Sequence, residues 1–384
     1  MSEVSIVGGA GHIGLPLSCF IQNKGLNVKI IDNNIQALDL LKSGQATFYE
    51  NMLNENLSTA IKNGLSFSDD IQYIKDSKFV FITIGTASND KSTKLFNNLI
   101  EEVLNHIAPN SYLLLRSTIT KKDIEFVKNN LKFKEKTINL AYCPERIAEG
   151  AAFKELKSLP QIVGIENDYV ENTIKEFFNF LEIETIFTSF DNSIFIKLFS
   201  NAYRNANFSL VNEFHDIALA NNINFENIIK IATYKYPRLE NLPKTGFVGG
   251  PCLPKDLETF IKSYSVNNSL LNELERVNEK FIDNIVEKCL RLFEDKKIIQ
   301  IGLTFKVNSD DIRGSGAIIL NKKLKEKNFK VYAVDPLLDQ KNVDFKLFEF
   351  KDVENLCDNI VVSVDHKIFN NFNFSNKKIL YVEV

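Results

Sequence analysis

The sequence predicts an α/β fold in three parts, with two α/β regions flanking a helical middle. Short, near-continuous apolar runs alternate with longer amphipathic stretches at both ends of the chain. Between them lies a long helical pattern interrupted by neither proline nor glycine. Strands covered on both faces read as continuous apolar runs, so the sheets are expected to be mostly parallel. A chain of 384 residues is long enough for two or three domains.

Taken in order, Val4–Val7, Asn27–Ile31, Phe79–Ile84 and Tyr112–Leu115 read as strands, with another near Thr137–Tyr142. A further piece, Gln161–Gly164, precedes a helical segment from Asp168 to Leu181. From Asp191 to Ala220 the apolar positions recur at helical spacing, and Ile194, Leu198, Ala202, Ala206 and Leu210 are expected to line one stripe. A second helical stretch covers Phe225–Ala232. Tyr236–Asp256 holds four prolines and several glycines and must be a loop of defined shape. Helical periodicity returns from Leu257 to about Phe293. Ile298–Gly302, Phe329–Val334, Ile360–Val364 and Ile379–Val382 then read as strands, with a helical Ser315–Lys327 between the first two. Domain boundaries are expected at 1–187, 188–293 and 294–384.

A net charge of -3 and the lack of a Lys/Arg cluster argue against nucleic-acid binding. No basic-then-apolar leader precedes the first strand, and no apolar run is long enough to span a bilayer. Cysteines at 19, 143, 252, 289 and 357 have neither disulfide nor zinc spacing, and the four histidines are dispersed. The expectation is a cytoplasmic protein without a metal site.

The first strand runs into Gly9-x-Gly11-x-x-Gly14 and an amphipathic stretch, and the second strand ends at Asp32. Glycines there permit a tight turn and close approach of a pyrophosphate to a helix N-terminus. An acid at the end of the second strand is placed to accept hydrogen bonds from the adenosine ribose, which favours NAD over NADP. This order of features predicts a Rossmann-type dinucleotide-binding domain. FAD is the competing cofactor, and a glycine turn that only packs a helix is the bland reading. Gly85-Thr86 and Ser117-Thr118 each follow an apolar strand, where cofactor or substrate groups sit at the carboxyl edge of such a sheet.

The second informative stretch runs from Gly246 through Gly249-Gly250-Pro251-Cys252 to Pro254-Lys255-Asp256. Its glycines let a large substrate approach the backbone, and a helix starting near Pro254–Leu257 favours a reactive thiolate. The alternative is a buried structural cysteine. Cys19 and Cys289 fall in helical patterns, and Cys143 adjoins Pro144-Glu145-Arg146 at a strand end. A nicotinamide domain with a nucleophilic cysteine suggests oxidation at the aldehyde level, by thiolate addition, hydride loss and thioester hydrolysis. Lys197 and Asn201, four apart, share a helix face and are candidates to stabilise the oxyanion. A solvated Lys–Asn pair is the competing reading.

Together these pieces resemble the UDP-glucose/GDP-mannose dehydrogenase family of nucleotide-sugar 6-dehydrogenases. The resemblance runs over nearly the whole chain: GGAGHIGLP at 8–16, RST at 116–118, YCPERIAEG at 142–150, LPQIVG at 159–164, KLFSNAYRNANFSLVNE at 197–213, YPR at 236–238, GFVGGPCLPKD at 246–256, ERVNE at 275–279, GLTFKVNSDDIR at 302–313 and VSVDHKIF at 362–369. It implies Cys252 as nucleophile, Lys197 and Asn201 as the oxyanion pair, and Thr118 and Asp256 as holders of the catalytic water. Glu145 would serve thioester hydrolysis and proton transfer. Gly9, Gly11, His12, Ile13, Gly14, Asp32, Thr86, Ser117, Thr118 and Arg313 would contact the cofactor. Substrate would meet Glu145, Arg146, Lys197, Asn201, Phe247, Gly249, Gly250 and Lys306. Arg238 would join them, in some members across a subunit boundary. The resemblance further implies a homodimer built on the central helices and a second, Rossmann-like α/β domain at the C-terminus that binds the UDP-sugar.

Four stretches depart from the family's pattern: Ile119-Thr120-Lys121-Lys122, Gly85-Thr86-Ala87, Tyr236-Pro237-Arg238 and Pro243-Lys244. The GGAGH opening and Asp365-His366-x-x-Phe369 resemble members acting on UDP-N-acetylhexosamines, notably UDP-N-acetylmannosamine, whereas CLPKD is shared with UDP-glucose enzymes. For His366 the alternative to a substrate reader is a structural residue at a strand end. A two-electron 3-hydroxyacid-type dehydrogenase and a non-catalytic NAD-binding protein are the competing classes.

Overall fold

The computed structural model describes residues 3–86, 90–135, 137–267, 269–372 and 374–383, which form two units, Met1–Phe199 and Ser200–Val384. In the first unit β1 (Val4–Val7), α1 (Gly14–Asn23), β2 (Val28–Ile31), α2 (Ile35–Lys42), α3 (Leu53–Lys62), β3 (Ser66–Ser68), β4 (Phe79–Ile82), α4 (Asp90–His106) and β5 (Tyr112–Leu115) follow one another. After them come α5 (Lys121–Phe133), β6 (Asn139–Tyr142), α6 (Ala152–Ser158), β7 (Gln161–Gly164), α7 (Asp168–Phe180) and β8 (Thr185–Thr188). The eight strands lie in the order β3-β2-β1-β4-β5-β6-β7-β8, parallel except for the β6–β7 pair. Val4, Ile6, Phe81 and Leu114 from the central strands pack with Leu17 and Phe177 from the helices, as expected of strands buried on both faces.

Helix α8 (Phe190–Ala220) leads out of the first unit into the second. There it is followed by α9 (Phe225–Thr233), α10 (Leu253–Ser263), α11 (Leu270–Leu292), β9 (Lys297–Ile301), α12 (Gly316–Glu326), β10 (Lys330–Val334), β11 (Asn359–Val362) and β12 (Lys378–Tyr381). The sheet order is β10-β9-β11-β12, all parallel. Successive residues of β9 point to opposite faces. Ile298 joins Phe281, Leu320 and Val361 in one core, and Ile299 and Ile301 join Phe350, Val362 and Phe369 in another. The architecture is a Rossmann domain, a helical region and a Rossmann-like domain. No helix among the described residues is long and apolar enough to cross a membrane.

Three expectations need correction. The helical periodicity from Leu257 to about Phe293 belongs to two helices, α10 and α11, with a break between them. Ser265 between them takes a left-handed φ of 49°, and Ser269 opens α11 with a capping box to Asn272. The stripe on α8 holds at Ile194, Leu198 and Ala202 but fails at Leu210, which is 49% exposed. Repeated steps of four drift by roughly 40° each around a 3.6-residue helix, so the fourth step faces away. The buried face continues instead through Asn205, Ser209 and Asn212. Finally, β3 and β8 went unforeseen. They are the short, half-exposed edge strands of the large sheet and lack the continuous apolar run of a central strand.

Candidate active site

At the end of β1 the chain turns through Gly8, φ 79°, and Gly14 packs so tightly that a Cβ would lie 2.6 Å from the Gly8 carbonyl oxygen and the Gly9 Cα. A Cβ on Gly9 would meet the Ile6 carbonyl at 2.7 Å, whereas one on Gly11 would find only the Gly8 carbonyl, at 3.5 Å. The outer glycines therefore serve packing and the middle one leaves space above the loop. Ile13 is the N-cap of α1 and supplies no side-chain cap, so the first N–H groups of that helix get no side-chain acceptor from it. The Asp32 carboxylate accepts hydrogen bonds from the N–H groups of Ala10 (3.0 Å) and Asn34 (3.0 Å). These features fit a dinucleotide, with a cradle for the pyrophosphate and an oriented acid for the ribose. His12 stacks on Phe48 at 4.0 Å with its Nδ1 4.0 Å from the Glu149 carboxylate. Nothing in the local sequence singles out Glu149 and Phe48; only the fold brings them to the loop.

Along the carboxyl edge, Thr86 donates to the Thr118 carbonyl (2.6 Å) and the buried Ser117 donates to the Ile84 carbonyl (2.7 Å). Ser117 thus ties β5 to the segment after β4. In the departing stretch 119–122, Thr120 forms a capping box with Asp123 and starts α5. Ala87 lies outside the described residues.

Glu145 is 7% exposed and held from two sides. One oxygen accepts the N–H groups of Arg146 (2.8 Å) and Ile147 (2.9 Å), and the other pairs with the Arg116 guanidinium. Arg116, 2% exposed, also donates to Gln161 Oε1 (2.7 Å), and Arg146 donates to the Pro160 carbonyl (2.6 Å). A buried carboxyl group with a cation on one side and two N–H donors on the other is held in one orientation. Glu50, another residue the sequence did not flag, accepts from Gly150 N (2.6 Å) and Ala152 N (3.2 Å) and braces the same loop.

In the second unit, Cys252 is the N-cap of α10 and exposed; the other four cysteines are buried. Burial pushes the Cys19, Cys143 and Cys289 thiols up to about 12 and raises that of Cys357, which leaves them poor nucleophiles. One turn into α10, Asp256 is fully buried; its Oδ2 accepts from Asn201 Nδ2 at 2.6 Å, and its Oδ1 lies 3.5 Å from Lys255 Nζ. Lys197 and Asn201, 7% and 8% exposed, occupy successive turns of α8, so they are not a solvated pair. Gly250 takes φ 87° and donates to the Gly314 carbonyl (3.0 Å); a Cβ at Gly249 would lie 2.4 Å from that same oxygen. Phe247 packs edge-on against Phe281 and lies over Gly316. Arg238, in the turn Pro237–Leu239, is exposed and lies over the Tyr236 ring at 5.4 Å.

Lys306 is half-buried, with Nζ 5.5 Å from the centre of the Phe305 ring. Arg313 is paired with Asp311 through Nε at 2.8 Å. His366 is fully buried and takes the structural alternative. Its Nδ1 accepts Asn308 N–H (2.8 Å), while its Nε2 lies 3.1 Å from Thr304 Oγ and 3.3 Å from Asp335 Oδ2. Because Nδ1 accepts, the proton of the neutral ring sits on Nε2. The imidazole clasps the loop that carries Lys306. Among the described residues no cluster of His, Cys, Asp or Glu is arranged to hold a metal ion.

Models of the UDP-glucose/GDP-mannose dehydrogenase family match the chain in succession: the NAD binding domain over residues 2–182, the central domain over 191–280 and the UDP binding domain over 300–381. A UDP-N-acetyl-D-mannosamine dehydrogenase of Methanococcus vannielii is 28% identical over 376 residues, covering 95% of this chain and 86% of its own. A UDP-glucose 6-dehydrogenase of Rickettsia felis is 27% identical over 390 residues, covering 95% and 87%. Among solved structures, a UDP-N-acetyl-mannosamine dehydrogenase from Staphylococcus aureus superposes with a TM-score of 0.85 at 26% identity, over 99% of this chain and 94% of its own. A UDP-glucose dehydrogenase from Pyrobaculum islandicum reaches 0.89 at 20% identity over 100% and 94%, a likeness of fold. With three consecutive domain matches on a shared architecture, the chain belongs to the UDP-glucose/GDP-mannose dehydrogenase family and is an oxidoreductase of the nucleotide-sugar dehydrogenase class.

Proposed function

We propose that this protein oxidises the C6 hydroxyl of a UDP-sugar to a carboxylate in two NAD-dependent steps, with Cys252 holding the intermediate. The observation that carries this reading is the setting of Cys252: exposed, at the N-terminus of α10, with the buried Asn201–Asp256 pair one turn away. NAD, when bound, supplies the hydride acceptor for both oxidations. Gly11 and the start of α1 would take its pyrophosphate and Asp32 its ribose. Ile13, His12, Thr86, Ser117 and Thr118 border the same loop edge, and Arg313 would approach from its own loop.

The Cys252 sulfur adds to the C6 aldehyde, forming a C–S bond while the carbonyl oxygen gains a proton. Loss of hydride from C6 and of that proton leaves a thioester, and water then cleaves the C–S bond to release carboxylate and thiol. Lys197 and Asn201 stabilise the oxygen as it becomes negative. Asp256 and Thr118 would hold the water. Glu145, held by Arg116, would serve thioester hydrolysis and proton transfer. Lys306, Arg146, Arg238, Phe247, Gly249 and Gly250 shape the sugar-nucleotide site.

Residues 1–187 would bind NAD, 188–293 carry the cysteine loop, and 294–384 bind UDP. The substrate we favour is a UDP-N-acetylhexosamine, specifically UDP-N-acetyl-D-mannosamine. Relatives named for that activity and the GGAGH and Asp-His-x-x-Phe wording support it, and UDP-glucose is the rival. Helix α8 presents Phe199, Tyr203, Leu210, Phe214 and Ile217 outward, each about half exposed, which supports a homodimer through this helix. Five free cysteines suit a cytoplasmic setting.

The test is NADH formation with UDP-N-acetylmannosamine, UDP-N-acetylglucosamine, UDP-glucose and GDP-mannose supplied separately. Two NADH per uronate from UDP-N-acetylmannosamine alone is the expected result. One NADH per sugar, or full turnover by Cys252→Ala, would refute the covalent mechanism, and two NADH from UDP-glucose alone would overturn the sugar.

A further inference from the structure

Resting on the reading of Cys252 as nucleophile, we infer that Asn212 is a positioning residue that sets where Cys252 stands relative to α8. Asn212 is 1% exposed and spends both ends of its amide on one residue. Its Nδ2 donates to the Gly246 carbonyl at 2.8 Å, and its Oδ1 accepts the Gly246 N–H at 3.0 Å. This two-point pairing imitates a strand pair and fixes the orientation of the peptide as well as its distance. Gly246 suits it: its φ is 154°, and a Cβ there would lie 3.1 Å from Glu383 Cγ.

Gly246 opens the cysteine loop. Four residues beyond Cys252, Asp256 is bound to Asn201 of the same helix at 2.6 Å. The loop is thus tethered at both ends to α8, by two asparagines eleven residues, or about three turns, apart. Between the tethers, the Gly250–Gly314 bond at 3.0 Å is a third support. The helix that carries the candidate oxyanion groups is therefore also the one against which the nucleophile's loop is measured. Loss of the Gly246 tether frees the loop at one end only. The cysteine then shifts while Asn201 and Asp256 remain.

The two oxidations depend differently on that position. Hydride removal from the alcohol needs no sulfur, but capture of the aldehyde needs the sulfur aligned on C6, and a displacement on the order of 1 Å costs about 10²-fold. Asn212→Ala is therefore expected to keep the first oxidation and NAD affinity within about twofold while slowing the second about tenfold or more. Aldehyde would accumulate and be trapped by hydroxylamine, and NADH per sugar would fall from two towards one.

A readout independent of turnover is the rate at which iodoacetamide alkylates Cys252 in the free protein, followed by peptide mapping; the other four cysteines are buried. The rate should change at least about threefold. Should Asn212→Ala not fold, the isosteric Asn212→Asp carries the same test, since it keeps the acceptor for Gly246 N–H but turns an oxygen towards the Gly246 carbonyl. The control is Asn205→Ala. Asn205 is an equally buried asparagine of α8 that pairs with Ser209 and Asn278 and makes no bond to the loop. It should lower the melting temperature yet leave the aldehyde partition and alkylation rate unchanged. Wild-type partition and alkylation in the Asn212 variants, or equal changes in Asn205→Ala, would overturn the inference. Full uronate formation by Cys252→Ala would instead sink the reading of Cys252 on which the inference rests.

Discussion

The two Rossmann-like sheets repeat one construction and finish it differently. In the first, Gly8 at φ 79° donates to the Ile31 carbonyl, and Asp32 at the end of the neighbouring strand accepts from Ala10 N and Asn34 N. In the second, Gly302 at φ 78° donates to the Val334 carbonyl, and Asp335 accepts from Leu303 N (2.7 Å) and Leu337 N (3.0 Å). The strand orders β2-β1-β4-β5 and β10-β9-β11-β12 correspond. The difference is that Asp32 is left half-buried and open, whereas Asp335, 4% exposed, is closed over by His366. One acid keeps part of its surface exposed, and its counterpart is used up inside the protein. Equivalent positions on one fold thus do unlike work, because the neighbours and not the fold decide what an acid meets.

Paired substitutions would break this comparison if it is wrong. The largest effect is expected from the glycines. Gly302→Ala puts a Cβ 2.0 Å from the Val364 carbonyl at a left-handed φ, and should destabilise the protein by about 3 kcal/mol or more in thermal or urea unfolding. Gly11→Ala meets nothing closer than 3.5 Å and should change stability by under ~1 kcal/mol while weakening NAD binding in titration.

The acids come next. Asp32→Asn should raise the NAD Kd about tenfold with little change in melting, as expected for loss of charge-assisted hydrogen bonds. Asp335→Asn should do the reverse, costing ~2 kcal/mol of stability and leaving the NAD Kd unchanged. A comparable loss of NAD affinity in both would show that the second acid also serves the cofactor.

His366→Ala sharpens the contrast further. Losing the clasp strands Asn308 N–H and costs ~1–3 kcal/mol, and it should raise KM for the UDP-sugar more than KM for NAD.

The smallest effect concerns Glu383, whose carboxyl is raised above its ordinary value chiefly by burial, with Lys244 opposing. The folded chain then binds this proton more tightly than the unfolded one. Its contribution to stability is therefore full below the ordinary glutamate value and is lost as pH rises through the folded value. Glu383→Gln should melt slightly higher than wild type near pH 7, with the gap closing towards pH 4. A gap that widens at acid pH would contradict the burial.

The first half of this contrast is legible in the sequence alone; the second, at Gly302 and Asp335, is not. The glycine motif, Asp32 and the proline- and glycine-rich cysteine loop are local signals, because turns and helix starts are built from residues adjacent in sequence. The central strands were legible for the same reason, as continuous apolar runs. Edge strands β3 and β8 carried no such pattern. The reversal on α8 at Leu210 escaped because the helix drifts against a four-residue repeat, and because its buried face is lined by asparagines and serines that a hydropathy reading assigns to water. Glu50, Arg116, Glu149 and Asn212 act through partners 29 to 137 residues away, and no spacing rule reaches that far.

What the sequence determined by itself is the central strands, the glycine loop after the first of them and the residues that carry the candidate chemistry, since each is encoded within a few residues of chain. Only the tertiary structure decided which polar groups are spent and which are left free. Arg116 is consumed in holding Glu145, His366 in closing over Asp335, and Asn212 in anchoring Gly246, while Cys252 alone of the cysteines is exposed. A buried polar group must find a partner wherever packing brings one, and that choice is made by distance in space rather than distance along the chain.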